Sequence, residues 1–339
     1  MTWRFRPAAQ NFAALSKTWD DINKSRGNHI LLDAGFVAPL LRNFDDGKAL
    51  IGIEESDSSR GAALVVRKGP GLWETFQPSQ APIGLFVLEQ PNSGVKQIHA
   101  LARALPGFAM QFSVLQQDPD YASVEYDQDS TGLERLDYIN TARINLTGSF
   151  EDYWKQRAGK FKYNLSRRRR RMQELGMSSE LIVRRKPEEV AAAIHEYGSL
   201  EASGWKNSGG TAVVEDNAQG RFYREMFEHF CERGEGHIFQ FLVNGRVAAS
   251  DLCLLRDGML VLLKTTYAED LGEISPALLM REDALRLLFA EKNAHILEFY
   301  GRVMDWHTRW TDDVRTLYHI NCYRTSWTKP LKQLVGRLK

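Results

Sequence analysis

The sequence predicts an α/β protein built as two tandem units, each a mixed, largely antiparallel sheet flanked by helices. Two series of strand-like and helix-like segments follow one another in similar order, with a change near Gly148. A chain of 339 residues is long for one core and ordinary for two. The expected domains are therefore 1–148 and 149–339.

In the first unit, Trp3 to Arg6 alternates as a strand and residues 7–24 read as a helix. Asp33 is placed to N-cap a second helix carrying Phe36, Leu40 and Leu41. Strand-like runs follow at Ala49–Glu54, Ala62–Val66 and Leu72–Phe76, separated by Ser-Asp-Ser-Ser and Gly-Pro-Gly turns. Val95, Ile98, Leu101 and Ala102 give 93–105 a helical spacing. Phe108–Leu115 and Tyr138–Leu146 read as strands on either side of an acidic loop, 117–133.

The second unit gives clearer signals. Phe150 to Leu175 reads as one long basic helix closed by Gly176. A strand at Ser179–Arg184 and a helix from Pro187 to Ala202 come next. A Gly/Ser-rich loop, Ser203–Thr211, leads to a helix at 216–233. Asn244-Gly245 and Asp257-Gly258 turn a meander of Ile238–Val243, Val247–Leu255 and Met259–Tyr267. A helix opening at Ser275-Pro276, a strand at His295–Tyr300, an aromatic loop at 305–312 and a strand at Thr316–Tyr323 complete the chain.

Composition narrows the function. Lys plus Arg number 44 and Asp plus Glu 43, a net charge of +1, so wholesale attraction to nucleic acid or anionic lipid is not expected. The first 150 residues carry 14 basic and 17 acidic side chains, the rest 30 and 26, which points an anionic ligand toward the second half. Cys231, Cys253 and Cys322 are far apart, which argues against a disulfide framework or a structural zinc site. With no signal-peptide core and no long apolar run, the expectation is a cytoplasmic protein without a membrane span. No G-x-S-x-G elbow, P-loop, H-E-x-x-H or Rossmann fingerprint occurs, so hydrolase, nucleotide-hydrolase and metalloprotease readings lack support.

Several residues stand out for chemistry. Lys264 ends a very apolar strand, and a buried ammonium needs a partner; Asp251 on the neighbouring strand is the natural one. Ser275 is placed to N-cap, and Pro276 suits the first helical turn of an anion-binding helix start with Ala277 and Leu278. Trp205-Lys206 and Asp305-Trp306-His307-Thr308-Arg309-Trp310 combine aromatic and polar groups suited to sugar or peptide stacking and carboxylate recognition. His307 is a candidate general base. Arg167–Arg171 wraps charge around one helix; some of these arginines are expected to pair within the protein, with the 117–137 acidic stretch as a partner, and others to bind an anionic ligand.

The order of meander, helix and strand resembles that of GNAT acetyltransferases. Five segments also resemble the CelD/BcsL-type acetyltransferase family of cellulose and exopolysaccharide biosynthesis. They are Lys162-Tyr163-Asn164-Leu165 running into Arg167–Arg171, Ser203-Gly204-Trp205-Lys206 with Gly210-Thr211, Lys264-Thr265-Thr266-Tyr267, Ser275-Pro276-Ala277-Leu278-Leu279, and Asp305 through Trp310 with Arg315 beyond. They span 150–325 in the family's order. Ala277 stands where the family usually has Gly, and Trp306-His307 where it often has Tyr-Lys.

The resemblance implies two GNAT-like units, the first degenerate. It implies an acyl-CoA-dependent N- or O-acyltransferase acting on a sugar or sugar-linked intermediate of polysaccharide biosynthesis, with acetyl-CoA or another acyl-CoA as substrate and no metal. Lys264, Tyr267, Asp251 and His307 would be catalytic, Tyr267 as the acid for the leaving thiolate. Ser275, Pro276, Ala277 and Leu278 would hold the coenzyme, and Trp205, Lys206, Asp305, Trp306, Arg309 and Trp310 the acceptor. Alternatives are a Fem-like aminoacyl transferase, whose basic helix would meet aminoacyl-tRNA, and a non-catalytic partner of an exopolysaccharide synthase.

Overall fold

The computed structural model describes residues 2–55, 60–90, 94–121, 132–203, 213–214 and 216–324. Along the chain run β1 (Trp3–Pro7), α1 (Ala8–Ser25), α2 (Ala34–Phe44), β2 (Leu50–Glu55), β3 (Arg60–Gly69), β4 (Leu72–Thr75), β5 (Phe86–Leu88), α3 (Gly94–Ala104), β6 (Gln111–Gln117) and β7 (Leu133–Asn145). Then come α4 (Phe150–Lys155), α5 (Gly159–Glu174), β8 (Ser179–Arg184), α6 (Pro187–Ser203), α7 (Ala218–Glu232), β9 (Gly236–Val243), β10 (Arg246–Arg256), β11 (Met259–Tyr267), α8 (Pro276–Glu291), β12 (Ile296–Glu298) and β13 (Val314–Tyr323).

The chain divides into two compact units, Met1–Asn140 with Thr316–Lys339, and Thr141–Arg315. The sequence predicts a single boundary near Gly148; the packing instead returns β13, from Thr316 on, to the first unit.

In the first unit, β1, β2, β3 and β4 form an antiparallel meander. Asp33 caps α2 as the sequence predicts, its carboxylate accepting from the Gly35 N–H at 2.7 Å. After α3, β6 lies parallel to β4, and β13 from the chain's end closes the sheet antiparallel to β6. Trp3, Val65, Phe86, Leu101, Phe112 and Ile320 are core residues here.

The second unit repeats that order. β8, β9, β10 and β11 run antiparallel, α8 crosses, and β12 returns parallel to β11. The Arg143–Asn145 end of β7 closes this sheet against β12. The two closing strands are thus exchanged relative to the sequence reading, which gave each half its own. Pairing across a sheet is long-range, and nothing local in β7 or β13 names its partner. Asn244, Gly245, Asp257 and Gly258 all have positive φ, as hairpin turns on these dipeptides require.

The expected long helix 150–175 is two helices. Ala158 is extended (φ −55°, ψ 133°), and Arg157 beside it donates to the Trp310 carbonyl at 2.9 Å. That tertiary hydrogen bond holds the break between α4 and α5, where helical continuation is otherwise permitted by sequence.

Candidate active site

Strand β11 organises the second unit. It pairs with β12 only through Met259, Leu260 and Val261. From Leu262 to Tyr267 its other neighbour among the described residues is β10, so that edge of the strand stands open. Alternation then sends Lys264 to one face and Thr265 and Tyr267 to the other.

On the second face, a cavity of about 300 Å³ lies against the start of α8. Thr265, Tyr267, Gly272 and Ser275 form one side of it. Ala277, Leu278 and Arg281, at i, i+1 and i+4 on α8, supply another, and Trp306, Arg309 and Trp310 close it. Among the described residues, no acidic side chain lines it. Tyr267 is 46% exposed there.

Ser275 does not cap α8 through its side chain. It adopts the left-handed conformation (φ 50°, ψ 67°), and its hydroxyl donates back to the Gly272 carbonyl at 3.1 Å. The anion-binding capacity of this turn therefore rests on backbone, chiefly the Ala277 N–H, since Pro276 has none.

Lys264 lies away from the cavity and is not paired with Asp251. The register sets Asp251 opposite Thr265 and Lys264 opposite Leu252, so the two charges leave the sheet on opposite faces. Lys264 Nζ reaches both Glu201 oxygens at 3.2 Å and the Gln219 amide oxygen at 3.3 Å. The rings of Tyr197 and Tyr223 lie 5.9 and 5.6 Å from it. Glu201 also accepts from the Tyr197 hydroxyl and the Val213 N–H. Lys264, expected to be catalytic with Tyr267, does not line the cavity that Tyr267 and Ser275 share.

Asp251 instead pairs with Arg281 at 2.9 Å, both side chains almost fully buried. Burial pushes the Asp251 carboxyl above its ordinary value, against the pull of Arg281. The guanidinium also lies 5.6 Å from the Phe299 ring and 5.5 Å from Trp306.

His307, expected as a general base, does not line the cavity. It is 4% exposed and stacks on Trp306 at 3.6 Å. Its Nδ1 accepts from the Met304 N–H at 3.0 Å, so in the neutral ring Nε2 holds the proton. Burial lowers its pKa to about 4. Trp310 is fully buried, edge-on to Phe161 at 4.8 Å, with its carbonyl accepting from Tyr153. It offers a wall and not a stacking face. Asp305 is exposed, and its carbonyl accepts from the Thr308 hydroxyl. Trp205 and Lys206 lie outside the described residues.

Among the consecutive arginines, Arg169 bridges to Glu282 at 3.0 Å and also to Asp283, and Arg171 to Glu273. These partners come from α8 and the turn before it, in place of the 117–137 stretch, of which 122–131 lie outside the described residues. Arg168 is half-buried, and desolvation with nearby Arg309 and Arg167 lowers its pKa. Among the described residues, no group of three or more His, Cys, Asp or Glu side chains is placed to hold a metal.

The sequence reading missed Arg281 and Glu201. Arg281 was visible as a cation on the otherwise apolar α8 face, and a buried cation requires an acid. Glu201, at the end of a helix running into a Gly/Ser loop, gave no such sign.

Residues 159–308 match the model of the acetyltransferase (GNAT) domain. The second unit is thus similar to a GNAT-type acetyltransferase domain over most of its length. The open edge of β11 lies within the matched segment, and so does the cavity lining apart from Arg309 and Trp310. The whole fold is similar to FemX, at 10% identity over 94% of this chain and 98% of that one, with a TM-score of 0.59. It is also similar to the C-terminal domain of a protein assigned as a lysylphosphatidylglycerol synthetase from Agrobacterium fabrum (12% identity, 96% of each chain, TM-score 0.56) and to L-PGS from Bacillus licheniformis (12%, 95% and 96%, 0.52). At such identities the likeness concerns the fold alone. No curated protein matches the chain. No described helix is long and apolar enough to cross a membrane.

Proposed function

We propose that the protein transfers an acyl group from acyl-CoA to an amine or hydroxyl of a sugar or sugar-linked intermediate of polysaccharide assembly. One observation carries the acyl-transfer part: the open edge of β11 runs to Tyr267 beside the start of α8, inside the segment that matches the acetyltransferase domain. An unpaired strand edge offers backbone donors and acceptors to an extended, amide-bearing donor. The Ala277 N–H and Arg309 suit the anionic part of such a molecule. The acceptor's lone pair attacks the acyl carbon, a C–N or C–O bond forms, and the C–S bond breaks. The departing thiolate takes its proton from the Tyr267 hydroxyl, the acceptor's proton passes to solvent, and Tyr267 regains a proton from solvent. The acceptor class rests on the resemblance of the five sequence segments.

A Fem-like aminoacyl transfer is the second reading. It is favoured by the likeness to FemX along nearly the whole chain and by exposed Lys160, Arg167 and Arg170 on α5. Titration of the full chain with acetyl-CoA, free CoA and an aminoacyl-tRNA separates the two. Acetyl-CoA at 100 times its Kd should stabilise the native state by about 2.7 kcal/mol. Stabilisation by the tRNA and none by either coenzyme would transfer the assignment to the second reading.

A further inference from the structure

The inner wall of the cavity holds hydrogen-bond donors that none of the described residues uses. Arg281 is 3% exposed and lines the cavity. Asp251 occupies its Nη2, while Nε and Nη1 are shut off from solvent and meet no acceptor among the described residues. Trp310, in the same wall, has a buried indole N–H that also meets none. Buried donors of a charged group are costly to leave unmade, and native structures satisfy nearly all of them. The described lining has two arginines and no carboxylate.

We propose that Arg281, with the Trp310 indole, binds an oxyanion carried by the substrate of this site, a carboxylate or a phosphate group. The proposal rests on the acyl-transfer reading for what enters the cavity, and adds the charge of the molecule. It is distinct from anion binding at the start of α8, because Arg281 lies five residues along the helix from Pro276, about 8 Å deeper. The half-buried Trp306 ring lies 5.5 Å from the guanidinium and also lines the cavity; in this proposal that ring turns to admit the oxyanion. The Asp251 partner holds the guanidinium in place before the substrate arrives, which fixes the direction of its remaining donors.

The test is calorimetric titration of the full chain with succinate and, separately, inorganic phosphate. Two variants accompany it. Arg281→Lys keeps the charge and loses the planar donors. Asp251→Asn with Arg281→Gln removes both charges, so neither is left buried alone, and circular dichroism checks its fold. The wild type should bind at least one probe, more weakly as salt rises, and the double variant should lose at least about tenfold in affinity. Succinate alone binding identifies a carboxylated substrate, phosphate alone a phosphorylated one. Equal affinity in wild type and folded double variant overturns the proposal, as does no binding of either probe to the wild type up to about 50 mM. If the double variant does not fold, Arg281→Lys decides by the same criterion. Acetyl-CoA binding is measured in parallel. Its absence, with both probes still dependent on Arg281, removes the acyl-CoA reading and leaves the oxyanion site standing.

Discussion

The two faces of β11 carry the same kind of residue to different ends. On one face, the Lys264 cation meets Glu201, Gln219 and two tyrosine rings, and the Glu201 oxygens are further taken by Tyr197 and Val213. On the other, the Arg281 cation meets one acid among the described residues and keeps two donors unmade by them beside a cavity. A polar cluster whose members satisfy one another holds helices to a sheet. A cluster that is left short of acceptors has room for a ligand to complete it. Charge and burial alone do not separate the two; the count of filled hydrogen-bonding positions does.

The sharpest way to break this comparison is to empty the filled face. Glu201→Ala strands the Lys264 ammonium, the Tyr197 hydroxyl and the Val213 N–H. It should cost about 3–5 kcal/mol, read as a lowered urea midpoint with unchanged slope. Lys264→Ala should likewise lower stability more than it lowers turnover per folded molecule. A loss of turnover with stability intact would return Lys264 to the active site.

The packing behind Trp306, outside the cavity, has its own pH signature. With the His307 pKa lowered to about 4 in the fold, the unfolded chain binds the extra proton between its ordinary value near 6.5 and about 4. Stability from this group is fully present above pH 6.5 and is lost as pH falls through that window, on the order of 3 kcal/mol in total. Denaturation as a function of pH should show it, and His307→Asn should flatten that part of the curve. The same shift predicts that His307→Asn leaves the pH profile of the transfer rate near pH 6.5 unchanged.

Tyr267 tests the open face by chemistry. The residue is 46% exposed and lines the cavity, so Tyr267→Phe should leave the melting temperature unchanged and lower kcat about a hundredfold. An unchanged kcat would assign protonation of the leaving group to solvent.

The smallest effects divide the arginine run. Arg169→Gln, which abandons Glu282 and Asp283, should lower the melting temperature by a few degrees, an effect of about 1–2 kcal/mol. Arg168→Gln should leave stability nearly untouched and weaken acetyl-CoA binding only at low salt. Equal behaviour of the two variants would mean that the run acts as one patch.

Local physics made much of this protein legible in its sequence. Asn244-Gly245 and Asp257-Gly258 fix hairpins because few other dipeptides accept positive φ twice. Asp33 caps α2 because a short acid before an apolar helix has one N–H within reach. Tyr267, Ala277, Leu278, Trp306, Arg309 and Trp310 were all placed near one site by sequence, and the structure sets them around one cavity. Tertiary structure alone decided the rest. The bulge between Leu252 and Cys253 sets which residues of β10 face Lys264 and Thr265, and so which acid meets which cation. The exchange of β7 and β13 between the two sheets, and the break between α4 and α5 held by Arg157, depend on partners more than 100 residues away. Periodicity reports which face of an element is apolar; it does not report which distant element will cover that face, and that choice made the difference between a filled cluster and an open one.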